Sequence, residues 1–235
     1  MGARIRGMVL ALLAPLFLIG CVVVPGRFTA TLDIAADRSF AFAYQGEIVA
    51  LDLGDEFARG MKDAGEDSDS EATALHIAAR QAAEAPDDAT RDERLRALAD
   101  LLGKEAGYRQ VEYKGDGLFQ IDYAIRGRLT HNFIWPYNPD AEILFPFLTA
   151  ELRGSGTVRI KAPAFGETSA AGAPGTENAA ERRRGTFTLT TNAEIVSQNN
   201  EDGATTQGAR HSIVWDITPV TKDAPMAVLR VAPVG

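Results

Sequence analysis

The sequence predicts an α+β domain: an antiparallel, strongly curved β-meander sheet with a two-helix insertion after the first hairpin. Apolar residues alternate with polar ones in residues 28–44 and again from residue 108 onward, which is the period of half-buried strands. Leucines between residues 90 and 105 recur instead at helical spacing. The chain has 235 residues, 46% of them hydrophobic, enough to bury one core.

The N-terminus has the features of an export signal. Arg4 and Arg6 precede residues 8–20, MVLALLAPLFLIG, an uncharged apolar run. This run has the length of a signal-peptide core and is shorter than the roughly 20 apolar residues that span a bilayer. We therefore expect residues 1–20 to be a signal peptide and residues 21–235 to form a single domain.

The signal ends in Leu18, Ile19, Gly20 and Cys21, a pattern that resembles the lipobox of bacterial lipoproteins. The resemblance implies that Cys21 receives a diacylglycerol thioether, that the preceding peptide is removed, and that the new amino terminus is acylated with a fatty acid such as palmitate. Cys21 is the only cysteine, so it forms no internal disulfide. By resemblance to the sorting rule of Gram-negative lipoproteins, Val22 implies the outer membrane, with the domain facing the periplasm.

The first segment after the anchor predicts a β-hairpin with one apolar, partly aromatic face. Asp37 and Arg38 supply the turn. The inward positions are Phe28, Ala30, Leu32 and Ile34 on the first strand, and Phe40, Phe42 and Tyr44 on the second. Such a face is expected to be core.

Residues 55–105 form the predicted helical insert, with helices at about 71–84 and 90–105 separated by Pro86. Leu95, Leu98, Leu101 and Leu102 give the second helix an apolar face. Between Asp55 and Asp100 there are thirteen acids and six bases. Within this range, residues 63–71 hold five carboxylates. They lack the glycine and the spaced glutamate of an EF-hand loop, which favours a solvated acidic linker over a metal site.

From residue 108 the two-residue period returns. The strand-like runs are 108–113, 118–129, 143–152, 157–164, 185–198, 209–218 and 226–231. Turn residues recur between them, with a hairpin signal at 199–203, NNEDG. Residues 166–184 contain almost no large apolar side chain and are expected to form a flexible loop. At its end, Arg182, Arg183 and Arg184 are interpreted as a solubilising flank rather than a phosphate site.

No catalytic or cofactor motif is present. The chain has no G-x-S-x-G turn, no Walker loop and no H-E-x-x-H pair. His76, His131 and His211 are too scattered in sequence to predict a shared site. The formal net charge of −8 argues against nucleic-acid binding, because a phosphate backbone requires a basic surface. We predict no catalytic residue, metal or cofactor, and the sequence favours a non-enzymatic protein over an enzyme.

One segment is a candidate contact surface. Residues 131–148, HNFIWPYNPDAEILFPFL, combine large apolar residues with three prolines, which interrupt a regular central strand. The candidate contact residues for a ligand or partner are Phe133, Trp135, Tyr137, Phe145 and Phe147. Two interpretations stay open: an exposed edge for a lipid, an apolar ligand or a partner, or ordinary core at the end of the sheet.

The segments 21–34 and 37–48, together with 199–203 and 212–216, resemble a group of uncharacterised alphaproteobacterial envelope lipoproteins. More distantly, a lipobox followed by a hairpin, a helical insertion and a terminal β-meander is similar to the LppM-type lipoproteins. The resemblance implies a lipid-binding role and no catalytic residue. The long acidic insert departs from that group.

These observations predict a lipid-anchored, non-enzymatic envelope module that binds an apolar ligand or a membrane partner. Its expected partners are the membrane, through the N-terminal acyl chains, and a lipid or envelope protein. The alternative is a structural or assembly factor that acts by protein contacts through the acidic helical insert.

Overall fold

A computed structural model describes residues 22–51, 88–136, 146–154, 156–167 and 181–233. In these ranges the chain forms two β-sheets and one α-helix. The strands are β1 (Val22–Ile34), β2 (Ser39–Leu51), β3 (Tyr108–Gly115), β4 (Leu118–Arg128), β5 (Phe133–Trp135), β6 (Leu148–Arg153), β7 (Thr157–Lys161), β8 (Arg184–Thr191), β9 (Glu194–Gln198), β10 (Thr205–Gln207), β11 (Arg210–Ile217) and β12 (Met226–Arg230). The helix α1 is Asp88–Leu102.

The large sheet has seven strands in the order β10-β11-β8-β1-β2-β4-β3, and the small sheet has five in the order β5-β6-β7-β12-β9. Neighbouring strands are antiparallel except for β1 and β8, which pair in parallel. The apolar inner faces of both sheets belong to one continuous cluster of buried residues. The fold is therefore a two-sheet sandwich around a shared core.

The predicted first hairpin is confirmed. β1 and β2 pair antiparallel with Leu32 opposite Phe42 and Ala30 opposite Tyr44, and all four side chains are buried. Within residues 28–34 and 40–44, every second residue therefore faces the small sheet, as the alternation indicates.

The parallel pair of β1 and β8 depends on a close backbone approach at Gly185. A Cβ atom placed on Gly185 would lie 2.1 Å from the carbonyl oxygen of Phe28, far inside contact distance. Only glycine allows β8 to begin beside β1 at this point. Two residues later Phe187 resumes the buried apolar face.

The helix α1 packs beside β3 at one edge of the large sheet. Leu95, Ala99 and Leu102 are buried, whereas Leu101 is exposed. The Tyr113 hydroxyl of β3 donates a hydrogen bond to Asp92 Oδ1 at 2.5 Å. One side of the helix is therefore fixed to the edge strand.

The predicted fold class is wrong. The described chain is mostly β, with two sheets that are neither strongly curved nor closed, and with one helix rather than two. The helix predicted at 71–84 lies outside the described residues. A two-residue period identifies which face of a strand is buried, but it does not identify the strand with which it pairs. The sequence therefore could not show which strands belong to which of the two sheets.

The run 185–198 illustrates this error, because its two-residue period predicts a single strand. It forms β8 in the large sheet and β9 in the small sheet. Between them the Asn192 side chain accepts a hydrogen bond from the Ala36 amide at 2.8 Å, and the Thr191 hydroxyl donates to the Ile34 carbonyl at 2.5 Å. These bonds hold the corner at which the chain changes sheet.

One end of the sandwich, here called the Val22 end, is where β1 begins. Val22 lies opposite Leu51, the last residue of β2, and Ile217, the last residue of β11, lies opposite Gly185 near the start of β8. The two sheets are joined at this end, where the Glu167 amide donates to the Lys222 carbonyl at 2.8 Å. The Phe28 and Phe165 rings also stack there with centroids 4.4 Å apart.

Candidate functional site

Aromatic side chains from both sheets form a continuous row through the core. Tyr44 of the large sheet meets Trp135 of the small sheet with ring centroids 4.6 Å apart. Trp135 in turn meets Phe147 at 5.5 Å, and Phe187 stacks on Trp215 at 5.4 Å. Aromatic pairs at these separations add stabilisation beyond the area they bury.

Trp135 is the centre of this row. It is 2% exposed, and its ring centroid lies 5.2 Å from that of Phe42 and 5.4 Å from that of Tyr123. The Trp135 Nε1 atom makes no hydrogen bond of normal geometry with any described residue. Burial raises the pKa of the neighbouring Tyr108 hydroxyl, and the Trp135 indole opposes this only in part.

The tyrosines of the core are protonated at neutral pH. Burial raises the pKa of Tyr44 and of Tyr123. The Tyr44 hydroxyl donates to the Glu47 carbonyl at 2.8 Å, so its proton has a structural partner. These hydroxyls therefore supply no general base.

The three described contact candidates of the segment, Phe133, Trp135 and Phe147, lie in or against the core, whereas Ile134 is exposed. Phe147 is 0% exposed, and Phe133 is partly buried against Phe40 and Phe42, with centroids 5.1 and 5.5 Å away. Trp135 is buried as described above. Tyr137, Phe145 and Cys21 lie outside the described residues. For Phe133, Trp135 and Phe147 this packing agrees with the interpretation of the segment as ordinary core. Contact of the segment with a ligand stays a prediction.

The described histidines do not form a shared site. β4, which leads to His131, and β11, which contains His211, are separated by three strands, or four strand spacings of about 19 Å in total. Each ring lies within hydrogen-bond distance of a neighbouring threonine hydroxyl, Thr130 for His131 and Thr206 for His211. His76 and the acidic residues 63–71 lie outside the described ranges.

Within the described ranges, no group of three or more histidine, cysteine or acidic residues could hold a metal ion. The same ranges contain no helix that is long and apolar enough to cross a membrane.

The Val22 end carries a group of arginines on the outer face of the large sheet. Arg27 lies opposite Arg184 across the parallel pair. The Arg27 side chain donates to Glu47 Oε1 from Nε at 3.0 Å and from Nη2 at 2.5 Å. These hydrogen bonds hold the pKa of Glu47 below its usual range, with a smaller contribution from Arg182.

Arg183 differs from its neighbours because it is buried. Its guanidinium donates to the carbonyls of Gly166 at 2.5 Å, Pro219 at 3.3 Å and Thr221 at 3.2 Å. Burial lowers the pKa of Arg183. The interpretation of residues 182–184 as a solubilising flank is therefore wrong for this residue. Arg183 lies four and six residues before the inward-facing Phe187 and Leu189. This spacing by multiples of two was the sequence signal for the burial of Arg183.

Comparisons with known proteins give a distant likeness. No family model matches the chain, and no curated protein matches it. The chain is similar in structure to the folded domain of Mycobacterium tuberculosis LppM, determined by NMR. The two are 16% identical with a TM-score of 0.35, over 92% of this chain and 94% of that one.

Proposed function

We propose that this protein is a lipid-anchored, non-enzymatic module of the bacterial envelope, held with its Val22 end against the bilayer on the periplasmic side of the outer membrane. One observation carries the orientation. β1 begins at Val22, the residue after Cys21, and is already paired there with Leu51. A lipid on Cys21 would thus be joined to the sheet without a spacer.

The free energy of inserting the acyl chains is sufficient to hold the domain at the bilayer. Each buried lipid CH₂ contributes about 0.8 kcal/mol, and a single acyl chain binds membranes only marginally, whereas two or more hold a protein stably. An extended residue spans about 3.3 Å. Acylated Cys21 would therefore keep the first paired residues of β1 within a few ångströms of the headgroups.

The packing of the core favours contact at the surface over a ligand within the sandwich. The rings of Trp135, Tyr44 and Phe147 contact one another directly, so an apolar ligand at this position would have to displace them. Residues 137–145 of the candidate contact segment lie between Pro136 and Pro146, outside the described ranges. Trp135 and Leu148, close to these two prolines, are paired at the Val22 end of the small sheet. We therefore propose that Tyr137 and Phe145 contact a lipid or a partner on the membrane side of the domain.

The alternative, an assembly factor acting through its acidic insert, has no specific support among the described residues. The acid-rich residues 63–71 lie outside them. The charges of α1 nearly balance: its bases are Arg91, Arg94 and Arg96, and its acids are Asp88, Asp92, Glu93 and Asp100.

The anchor is tested by growing cells that express the full chain with an alkyne analogue of palmitate. We expect the analogue to enter the wild-type protein, and intact-mass measurement to show a chain that begins at Cys21 and carries a diacylglyceryl group. Labelling should be lost in Cys21→Ser, with the leader retained.

Cys21→Ser changes one atom of the precursor and no described residue, so a matched melting temperature of the two proteins serves as the folding control. A wild-type protein that takes up no label, or that keeps residues 1–20, contradicts the proposed function.

A further inference from the structure

We infer that the loop formed by residues 218–222 is a second membrane contact, in which Val220 enters the interfacial region of the bilayer beside the acyl anchor. This inference rests on the proposed function and adds a second point of contact, which sets the tilt of the domain. The loop connects β11 of the large sheet towards β12 of the small sheet.

The position of the loop is the first support. β11 ends at Ile217, which lies opposite Gly185, and Gly185 lies opposite Phe28 of β1. The loop is therefore two strand spacings, about 10 Å, from the strand that follows Cys21. Both features lie at the Val22 end.

The exposure of Val220 is the second support. Val220 is 82% exposed, more than any other large hydrophobic residue in the described ranges. An isolated exposed apolar residue is ordinary on a protein surface. Its place at the tip of a loop on the membrane-facing end makes transfer into lipid favourable, by about 1 kcal/mol or more for a valine side chain.

The rigidity of the loop is the third support. The buried Arg183 guanidinium donates to the carbonyls on both sides of Val220, those of Pro219 and Thr221. The Thr221 amide donates to the Thr218 carbonyl at 3.1 Å, and the Thr218 amide donates to the Thr221 hydroxyl at 2.9 Å. These hydrogen bonds hold the loop in one conformation. Insertion of its tip into lipid therefore costs little conformational entropy.

The charges beside the loop allow contact with lipid headgroups. Lys222 and Arg184 are exposed and make no hydrogen bond or ion pair with another described side chain. Asp223 and Glu167 lie nearby and reduce the local net charge. Insertion of the Val220 side chain, rather than charge alone, therefore dominates the contact, and Lys222 extends towards phosphate from its edge.

Contact at both Val22 and Val220 also sets the tilt of the β-strands relative to the membrane normal. Val22 lies six residues before Phe28, about 20 Å along β1, whereas Val220 extends at most three residues, about 10 Å, beyond the level of Ile217. With a lateral separation of about 10 Å, both residues meet one plane only if the strands are tilted by roughly 45° from the membrane normal.

The test uses the acylated full chain with Val220→Cys, purified from membranes. The native cysteine is blocked by its thioether when acylated, so the new cysteine is the only free thiol. It is labelled with an environment-sensitive dye and reconstituted in vesicles of phosphatidylethanolamine and phosphatidylglycerol. The control variant is Val196→Cys on β9, where the native valine is also exposed, at 46%. We expect a blue-shifted emission and several-fold slower quenching by iodide at position 220, with neither change at position 196.

The outcomes separate this inference from the anchor. A free thiol in the wild-type protein overturns the anchor and this inference together. A blocked wild-type thiol with a water-exposed dye at position 220 overturns this inference alone. A shift that grows with the ratio of protein to lipid indicates contact between copies of the chain and also contradicts it. Equal shifts at both positions would show that the dye itself drives insertion, and the membrane contact would again be rejected.

Discussion

Trp135 joins the two sheets through its contacts with Phe42 and Tyr44. Trp135→Ala leaves a large cavity between them, and we expect it to lower the free energy of unfolding by about 3–5 kcal/mol. Urea denaturation of the mature chain carrying Cys21→Ser measures this loss. Trp135→Phe keeps most of the ring volume and should cost clearly less.

A small loss of stability in Trp135→Ala, under about 1 kcal/mol, together with weakened lipid binding, would contradict a core role. It would instead support the exposed-contact interpretation of the segment.

The Arg27–Glu47 pair predicts a pH dependence. Arg27 holds the pKa of Glu47 below its usual range, so the pair stabilises the fold above the ordinary glutamate pKa of about 4.3. This stabilisation is lost as the pH falls through the lowered pKa of the folded state. We expect Glu47→Gln to be less stable than wild type at pH 7, and the difference to shrink below about pH 4.

Chemical denaturation of both proteins at the two pH values measures this difference. Glu201→Gln, which removes an exposed carboxylate in a turn, is the control for a general effect of charge. A gap between wild type and Glu47→Gln that stays constant on acidification would contradict the assignment to this pair.

The sequence did not place either of the two residues that hold the structure together here. The burial of Arg183 was missed, although Arg183 lies an even number of residues before the inward-facing Phe187. The depth of Trp135 was not predictable, because its aromatic-proline neighbourhood is compatible with a core or a rim. Contacts with Phe42 and Tyr44, about 90 positions away in the sequence, place it in the core.

At the level of elements, Arg183 connects β8 to the 218–222 loop and to the 3-10 turn Pro163–Phe165, whose following residue, Gly166, accepts one of its hydrogen bonds. Arg183→Met keeps much of the side-chain volume but leaves three carbonyls without their donor. We expect the amides of Thr221 and Glu167 to exchange with solvent at least tenfold faster, a change of about 1.4 kcal/mol in local opening.

Hydrogen exchange followed by NMR measures these rates. The amides of the β1–β2 hairpin should be unaffected, and Arg182→Met, at an exposed neighbour, should change neither set. Unchanged exchange at Thr221 in Arg183→Met would show that the guanidinium does not hold the loop.

Local patterns were sufficient for some elements. The hairpin of β1 and β2 and the helix at Asp88–Leu102 follow from periods of two and of three to four residues. The division of the strands between two sheets does not, because it is made by non-local contacts such as the parallel pairing of β1 with β8, about 157 positions apart. The close approach at Gly185 that permits this pairing carries no distinct sequence signal.

At the scale of the whole molecule, the net negative charge lies in parts of the sequence outside the two-sheet sandwich. The described ranges contain 19 bases and 19 acids, whereas residues 52–87 contain ten acids and three bases. The overall charge of −8 therefore does not belong to the two sheets. A neutral sandwich is not repelled by an anionic leaflet, which would oppose a strongly acidic body.

The orientation of the whole domain follows from the anchor and the direction of β1. Its 13 residues extend about 43 Å from the Val22 end to the opposite end. That opposite end carries the hairpin between β6 and β7, where the Gly156 amide donates to the Arg153 carbonyl at 3.1 Å. The membrane should therefore lie close to Lys222 and far from Gly154.

Energy transfer to acceptor-labelled lipids measures this most directly. The acylated protein is labelled at Lys222→Cys or at Gly154→Cys and reconstituted in vesicles. We predict efficient transfer from position 222 and several-fold weaker transfer from position 154. Equal transfer from both positions, or stronger transfer from position 154, would contradict a sandwich held with its Val22 end on the bilayer.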